Sequence, residues 1–206
     1  MQEEGPRIAV ELRAPNPELT RAWLDSGEVD FRLAWIHDPR PESRFARLPE
    51  DRLVCLVREG HPIVGERLRL DDFFELPHVR PAAAVKTRSL QADGGTLSLE
   101  QYLGVSYRMR DKGARYASRR IRIAMLAQSM LTIPDLVAGS DAIATIPERL
   151  ARGVGDHLSL RIMRPPIALP PLRGALYWHE RSNADPRHRW FRRLLLDVAR
   201  GLTNCP

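Results

Sequence analysis

The sequence predicts an α/β fold, on three observations. Residues 120–152 (RIRIAMLAQSMLTIPDLVAGSDAIATIPERLAR) read as strand, helix, strand, and residues 7–35 show the same order. From Asp185 onward the chain carries the apolar stripe of one long amphipathic helix.

Taken in order, residues 7–13 alternate apolar and polar and predict a strand stopped at Pro15. Leu19, Trp23 and Leu24 lie at helical spacing, with Asn16 as cap, Pro17 in the first turn and Gly27 as terminator. Residues 29–35 form the next strand. The two prolines within 37–43 mark a loop, and 53–57 is a buried strand bounded by the turn Glu59-Gly60-His61-Pro62. A short helix over 68–76 is expected to be capped by Asp71, and 78–80 is a further strand. Residues 81–96 lack periodicity and read as a long loop. Residues 97–104 are expected to form a helical turn or two, and 105–118 has no clear pattern.

In the 120–152 stretch, Ile121, Ile123 and Met125 alternate with Arg122 and Ala124, as a strand with one packed face requires. After the polar break Gln128-Ser129, Thr132 is placed as N-cap and Pro134 in the first helical turn. Gly139 is expected to close the helix in a left-handed conformation. Residues 142–146 are then a second apolar strand, so the unit has the length of a parallel crossover. Such a unit leaves backbone N–H groups unpaired at the helix start, where polar or anionic small molecules bind. Beyond it, 158–163 and 172–178 are strands joined by the proline-rich connector 164–171. The last helix is capped by Asp185, ends around Gly201, and is expected to pack on a sheet through Trp190, Phe191, Leu194, Leu195, Val198 and Leu202.

Composition narrows the function classes. The 206 residues, 43% apolar, suffice for one large core or two small ones. No apolar run reaches the roughly 18 residues of a membrane span, and MQEEGP lacks the order of a secretory signal, so a cytoplasmic location without membrane contact is expected. Cys55 and Cys205 lack CxxC spacing and fit a reducing compartment, with Cys55 packed as a small hydrophobe. The net charge of +6 invites a nucleic-acid reading, yet only Lys86 and Lys112 of the 32 basic residues are lysine. The clusters at 108–122 and 187–193 have no stacking aromatic series and read as solvated faces. Gly-rich phosphate loops, HExxH and a nucleophile elbow are absent, and the six histidines show no metal-ligand spacing. No cofactor, metal or catalytic residue is therefore expected. His61, between Gly60 and Pro62, reads as a residue that fixes a turn.

Four segments in sequence, 27–33 (GEVDFRL), 52–62 (RLVCLVREGHP), 136–147 (LVAGSDAIATIP) and 178–181 (WHER) followed by Asp185-Pro186 and Trp190, resemble the effector-binding domain of LysR-type transcriptional regulators. The resemblance covers most of the chain. It implies two Rossmann-like α/β lobes of the type 2 periplasmic-binding-protein kind, with a ligand cleft between them. Lobe I would comprise 1–76 and 168–206 and lobe II 77–167, with crossings near 76–79 and 164–171. Two departures from the family pattern are expected: no winged helix-turn-helix precedes Gln2, and the strand and helix that open the family's effector domain are missing. The region 81–118 is longer than the family's usual connection.

The resemblance and the strand-helix geometry together nominate Gln128, Ser129, Met130, Leu131 and Thr132 for effector contact. Trp35, Ile36 and His37, at a strand end of the first lobe, would line the opposing wall. Arg80 and Pro81 sit at a crossing, and Arg80 is suited to bidentate pairing with a carboxylate. Plainer uses stand beside these: core packing for Met130 and Trp35, a cap for Thr132, a surface ion pair for Arg80. The implied function is effector sensing and self-association, with a small organic molecule, carboxylate or aromatic, as ligand. DNA would be contacted only through a helix-turn-helix that this chain lacks. The alternative is a solute-binding protein or small enzyme on the same two-lobed frame.

Overall fold

The computed structural model describes residues 8–13, 19–35, 42–82, 95–98, 102, 116, 118–155, 157–169 and 171–201. They fall into two compact units, residues 1–50 with 173–206 and residues 51–172.

Unit 1 is built on a three-stranded antiparallel sheet. Strand β1 (Arg32–Trp35) and strand β2 (Ser43–Arg47) flank a central strand β9 (Gly174–His179), which is buried along its middle. Helix α1 (Thr20–Ser26) buries Leu24 against Ala175 and Tyr177. Helix α5 (Pro186–Gly201) is capped by Asp185, whose Oδ1 accepts from the Arg187 and His188 N–H groups at 2.7 and 3.0 Å. It meets the rest of the unit through His188 and Phe191, which stack on Phe31, and through Arg192, 4.2 Å over the Trp178 ring.

Unit 2 holds a six-stranded sheet in the order β5-β6-β4-β7-β3-β8. The strands are β3 (Leu53–Arg58), β4 (His78–Pro81), β5 (Thr96–Ser98), β6 (Arg120–Ala127), β7 (Ile143–Pro147) and β8 (Leu160–Met163). Its centre, β6-β4-β7, is parallel, and the outer pairs are antiparallel. Strand side chains alternate in direction, so β3 splits between two cores. Cys55 and Val57 join Phe73 and Phe74 of α2 (Leu70–Glu75). Val54 and Leu56 join Ile133 and Val137 of α3 (Ile133–Ala138) and Ala151 of α4 (Glu148–Gly155). A sheet covered on both faces explains why β3 reads as an unbroken apolar run.

The two compact units divide at 50/51 and 172/173, where β3 pairs with β7 and β8 and α2 packs in the same core. Several expectations are corrected. Residues 8–13 join neither sheet, leaving Ile8, Val10 and Leu12 exposed: alternation supplies a face, not a partner strand. Helix α1 begins after Leu19, and the proposed cap Asn16 lies outside the described residues. Asp72, not Asp71, takes the Arg69 N–H at the start of α2, while Asp71 pairs with Arg119 at 2.8 Å. Leu97 lies in β5, while Tyr102, within the 97–104 stretch expected to be helical, is in helical conformation. Gly139 ends α3 at φ −90°, so no left-handed residue is needed there. Among the described residues of α5 only His188 is buried; of the expected apolar stripe Trp190, Phe191, Leu194 and Leu195 are half-buried, Val198 is 55% exposed, and Leu202 lies outside the described residues.

Candidate functional site

Parallel pairing brings two of the nominated segments to one rim of unit 2. In the β4–β6 register Arg80 lies opposite Leu126 and Pro81 opposite Ala127, and Gln128 follows directly. Ligands of open α/β sheets bind outside the carboxyl ends of parallel strands, which is where both segments end. Val79 enters one core and His78 the other, so Arg80, two residues beyond His78, shares the His78 face.

On that face lies a buried polar chain. His78 Nε2 is 2.7 Å from the Phe73 carbonyl and Nδ1 is 2.8 Å from the Tyr102 hydroxyl, which is 3.0 Å from Thr145 Oγ1. Thr145 Oγ1 is in turn 3.7 Å from Cys55 Sγ. A carbonyl only accepts, so Nε2 carries the imidazole proton and Nδ1 accepts from Tyr102. The Thr145 hydroxyl then supplies the proton of its bond to Tyr102. Burial pushes the His78 pKa down to about 3, helped by the Arg80 charge, and pushes the Tyr102 and Cys55 pKa values up to about 12. All three groups are neutral near pH 7.

Arg80 is the one charge at this chain. Its Cζ sits 4.3 Å from the centroid of the Tyr102 ring, only 9% of the residue is exposed, and its buried Nε has no acceptor. Among the described residues no carboxylate pairs with it. The expected plain use of Arg80, a surface ion pair, is therefore absent among them. A guanidinium removed from water without a counter-ion costs several kcal/mol.

The 128–132 turn is built differently from its sequence expectation. Ser129, not Thr132, is the cap: its Oγ accepts from Leu131 N at 3.2 Å and its carbonyl from Thr132 Oγ1 at 2.9 Å. Thr132 N donates to the Ser129 carbonyl and Ile133 N to Met130, within a 3-10 turn over Met130–Thr132 that leads into α3. Of the free N–H groups anticipated at the helix start, those of Leu131, Thr132 and Ile133 thus have local acceptors. Met130 packs against the Ile133 cluster, while Gln128, Ser129, Leu131 and Thr132 are exposed at the rim.

Trp35 ends β1 in unit 1, opposite Gly174, and Ile36 and His37 lie outside the described residues. His78, Tyr102 and Thr145 were not singled out by sequence. His78 had one available signal, its place two residues before Arg80 on the same strand; Tyr102 had none, since its stretch, 97–104, reads only as a helical turn or two.

The family model for the LysR substrate binding domain matches residues 1–96 and 96–200. The chain belongs to that family. The LysR domain is 30% identical over 193 residues to the HTH-type transcriptional regulator SyrM 1 of Sinorhizobium fredii, covering 91% of this chain and 52% of that protein. It is 27% identical to the HTH-type transcriptional activator NagR of Ralstonia sp, covering 96% and 60%, and 28% identical to Nodulation protein D 1 of Bradyrhizobium diazoefficiens, covering 99% and 59%. The LysR domain thus spans about half the length of the curated relatives it matches. Among solved structures it superposes on the probable transcriptional regulator PA0477 of Pseudomonas aeruginosa with TM-score 0.71 at 21% identity, covering 92% of this chain and 56% of that one. The regulatory domain of MexT, from the same organism, gives TM-score 0.69 at 21% identity, covering 94% and 86%. The fold expected from the sequence, that of LysR regulatory domains, is the fold found.

Proposed function

We propose that this chain is the effector-sensing and self-associating domain of a LysR-type transcriptional regulator, binding a small organic molecule. The observation that carries this reading is the family match along nearly the whole chain. DNA contact belongs, in this reading, to a helix-turn-helix in the longer protein, and the site of action is the cytoplasm. Among the described residues no helix is long and apolar enough to cross a membrane. The contact residues proposed in unit 2 are Arg80, Pro81, Gln128, Ser129, Met130, Leu131 and Thr132; the contribution of Trp35, Ile36 and His37 rests on family resemblance. The likeness to regulators favours sensing over the solute-binding or enzymatic alternative.

Thermal shift against a panel of small aromatic and aliphatic compounds, charged and neutral, tests the sensing half. A ligand at about 100 times its Kd adds about 2.7 kcal/mol of stability. A flat response to the whole panel would count against sensing. Self-association is supported by β1 and β2, which pair among the described residues only with β9, and by Leu33 of β1, 65% exposed. Static light scattering should report a dimer or larger species. A monodisperse monomer at high concentration would remove this half.

A further inference from the structure

Resting on the sensing reading above, we propose that the unit 2 rim selects ligands by negative charge, with Arg80 as the anion-binding group and Tyr102 as the residue that positions it. Arg80 is 9% exposed, its buried Nε lacks an acceptor, and no carboxylate answers it among the described residues. The aromatic face of Tyr102 attracts the cation, at 4.3 Å, and the Tyr102 hydroxyl takes a guanidinium N–H, yet the buried Nε–H is left without an acceptor. An incoming carboxylate supplies two such acceptors in the matching fork geometry. The Leu131 and Thr132 N–H groups are engaged by Ser129 and the Ile133 N–H by Met130, so these three do not compete for that anion.

Tyr102 is held from two strands. Its hydroxyl is fixed by His78 of β4 and Thr145 of β7, at 2.8 and 3.0 Å, so the ring that carries Arg80 is tied to neighbouring parallel strands. His78 is itself pinned by the Phe73 carbonyl at 2.7 Å. None of these partners is charged near neutral pH, so they hold Arg80 in position without neutralising it. A salt-bridged structural arginine would be built the other way, with a carboxylate of the protein in place.

The test uses benzoate as anion and benzamide as its neutral match, by thermal shift and calorimetric titration of the full chain. Benzoate should bind and benzamide should not. Arg80→Met should weaken benzoate at least tenfold while leaving the ligand-free melting temperature unchanged or higher, because an uncompensated buried cation has been removed. Arg80→Lys should recover part of the affinity. Tyr102→Phe keeps the ring but frees it from His78 and Thr145, and should lower the benzoate-to-benzamide preference of the folded protein at least threefold. That ratio is a readout which loss of stability alone does not change. Benzamide or other neutral compounds binding while benzoate does not would overturn charge selection and leave sensing intact; silence from both, and from the wider panel, would end both readings. A large drop in ligand-free stability of Arg80→Met with benzoate affinity kept would make Arg80 structural. An unchanged preference in Tyr102→Phe would remove Tyr102 from the proposal.

Discussion

A histidine enclosed on every side ties the stability of unit 2 to pH. His78 is 0% exposed, and its pKa falls from 6.5 to about 3 on folding. Below 6.5 the unfolded chain therefore binds a proton that the folded chain refuses, so His78 contributes stability that is full above that pH and drains away as pH falls toward about 3. The slope approaches about 1.4 kcal/mol per pH unit within that window. Glu148, whose pKa is lowered by Arg152 and Arg52, adds its own acid loss, so the comparison must be with a variant. Urea unfolding at about pH 7 and about pH 4.5 should show a larger loss for the parent than for His78→Gln; equal losses would show that His78 is not the cause. Cys55 offers a second check at this scale. Its thiol is wholly buried and pushed up to about 12, so in a Cys205→Ser background iodoacetamide should label it only as fast as unit 2 opens. Immediate labelling under native conditions would contradict its burial. The core placement of Cys55 and the turn role of His61 were legible in sequence, since a thiol in an apolar run and a His between Gly and Pro have few other uses. His61 Nδ1 accepts from the Ile63 and Val64 N–H groups at 3.2 Å each. The His78 to Tyr102 bond was not legible, because its partners are 24 residues apart and nothing local marks them.

Element ends are set by short-range hydrogen bonds, and two of them yield predictions. Helix α1 ends at Gly27, φ +86°, where its last carbonyls are taken by a residue far along the chain: Arg181 donates to Leu24 O at 2.8 Å and Asp25 O at 2.6 Å. A Cβ at Gly27 would lie 2.9 Å from Arg181 Nη2. Gly27→Ala should cost about 1 to 2 kcal/mol from the left-handed backbone alone. In a double-mutant cycle it should be non-additive with Arg181→Ala, because both disturb one contact. Additive losses would mean that Arg181 and Gly27 act separately. Ser129 caps the turn before α3, so Ser129→Ala should cost about 1 kcal/mol while Ser129→Asp retains most of the stability. Equal losses in both variants would show that the hydroxyl is not the cap. The existence of α1, α3 and α5 was legible from spacing and from Gly27, Pro134 and Asp185. The caps of α2 and α3 were not, since neighbouring residues of similar chemistry, Asp71 with Asp72 and Ser129 with Thr132, compete and only backbone direction decides. Helix α4 escaped notice because Glu148-Arg149-Leu150-Ala151-Arg152 is mostly charged and buries one residue fully, Ala151.

The two units are unequally built. Among the described residues the buried cluster of unit 1 comprises Leu24, Ala175 and Tyr177, against two large clusters in unit 2. Apolar burial is the main favourable term in folding, so unit 1 should unfold first. All four tryptophans, Trp23, Trp35, Trp178 and Trp190, belong to unit 1, which makes fluorescence a reporter of that unit alone. In urea the fluorescence transition should precede the later part of the far-ultraviolet circular dichroism transition, and coincident curves would refute independent stability. The α/β class, the apolar strands of unit 2 and the family likeness were determined by the sequence itself, because period, caps and short motifs are local properties of a chain. The boundary between the units, the ladder that residues 8–13 fail to join, and the meeting of Arg80 with Tyr102, His78 and Thr145 were decided only by tertiary structure. Strand pairing and the neutralising or sparing of a buried charge depend on residues distant in sequence, and no local pattern encodes which of them will meet.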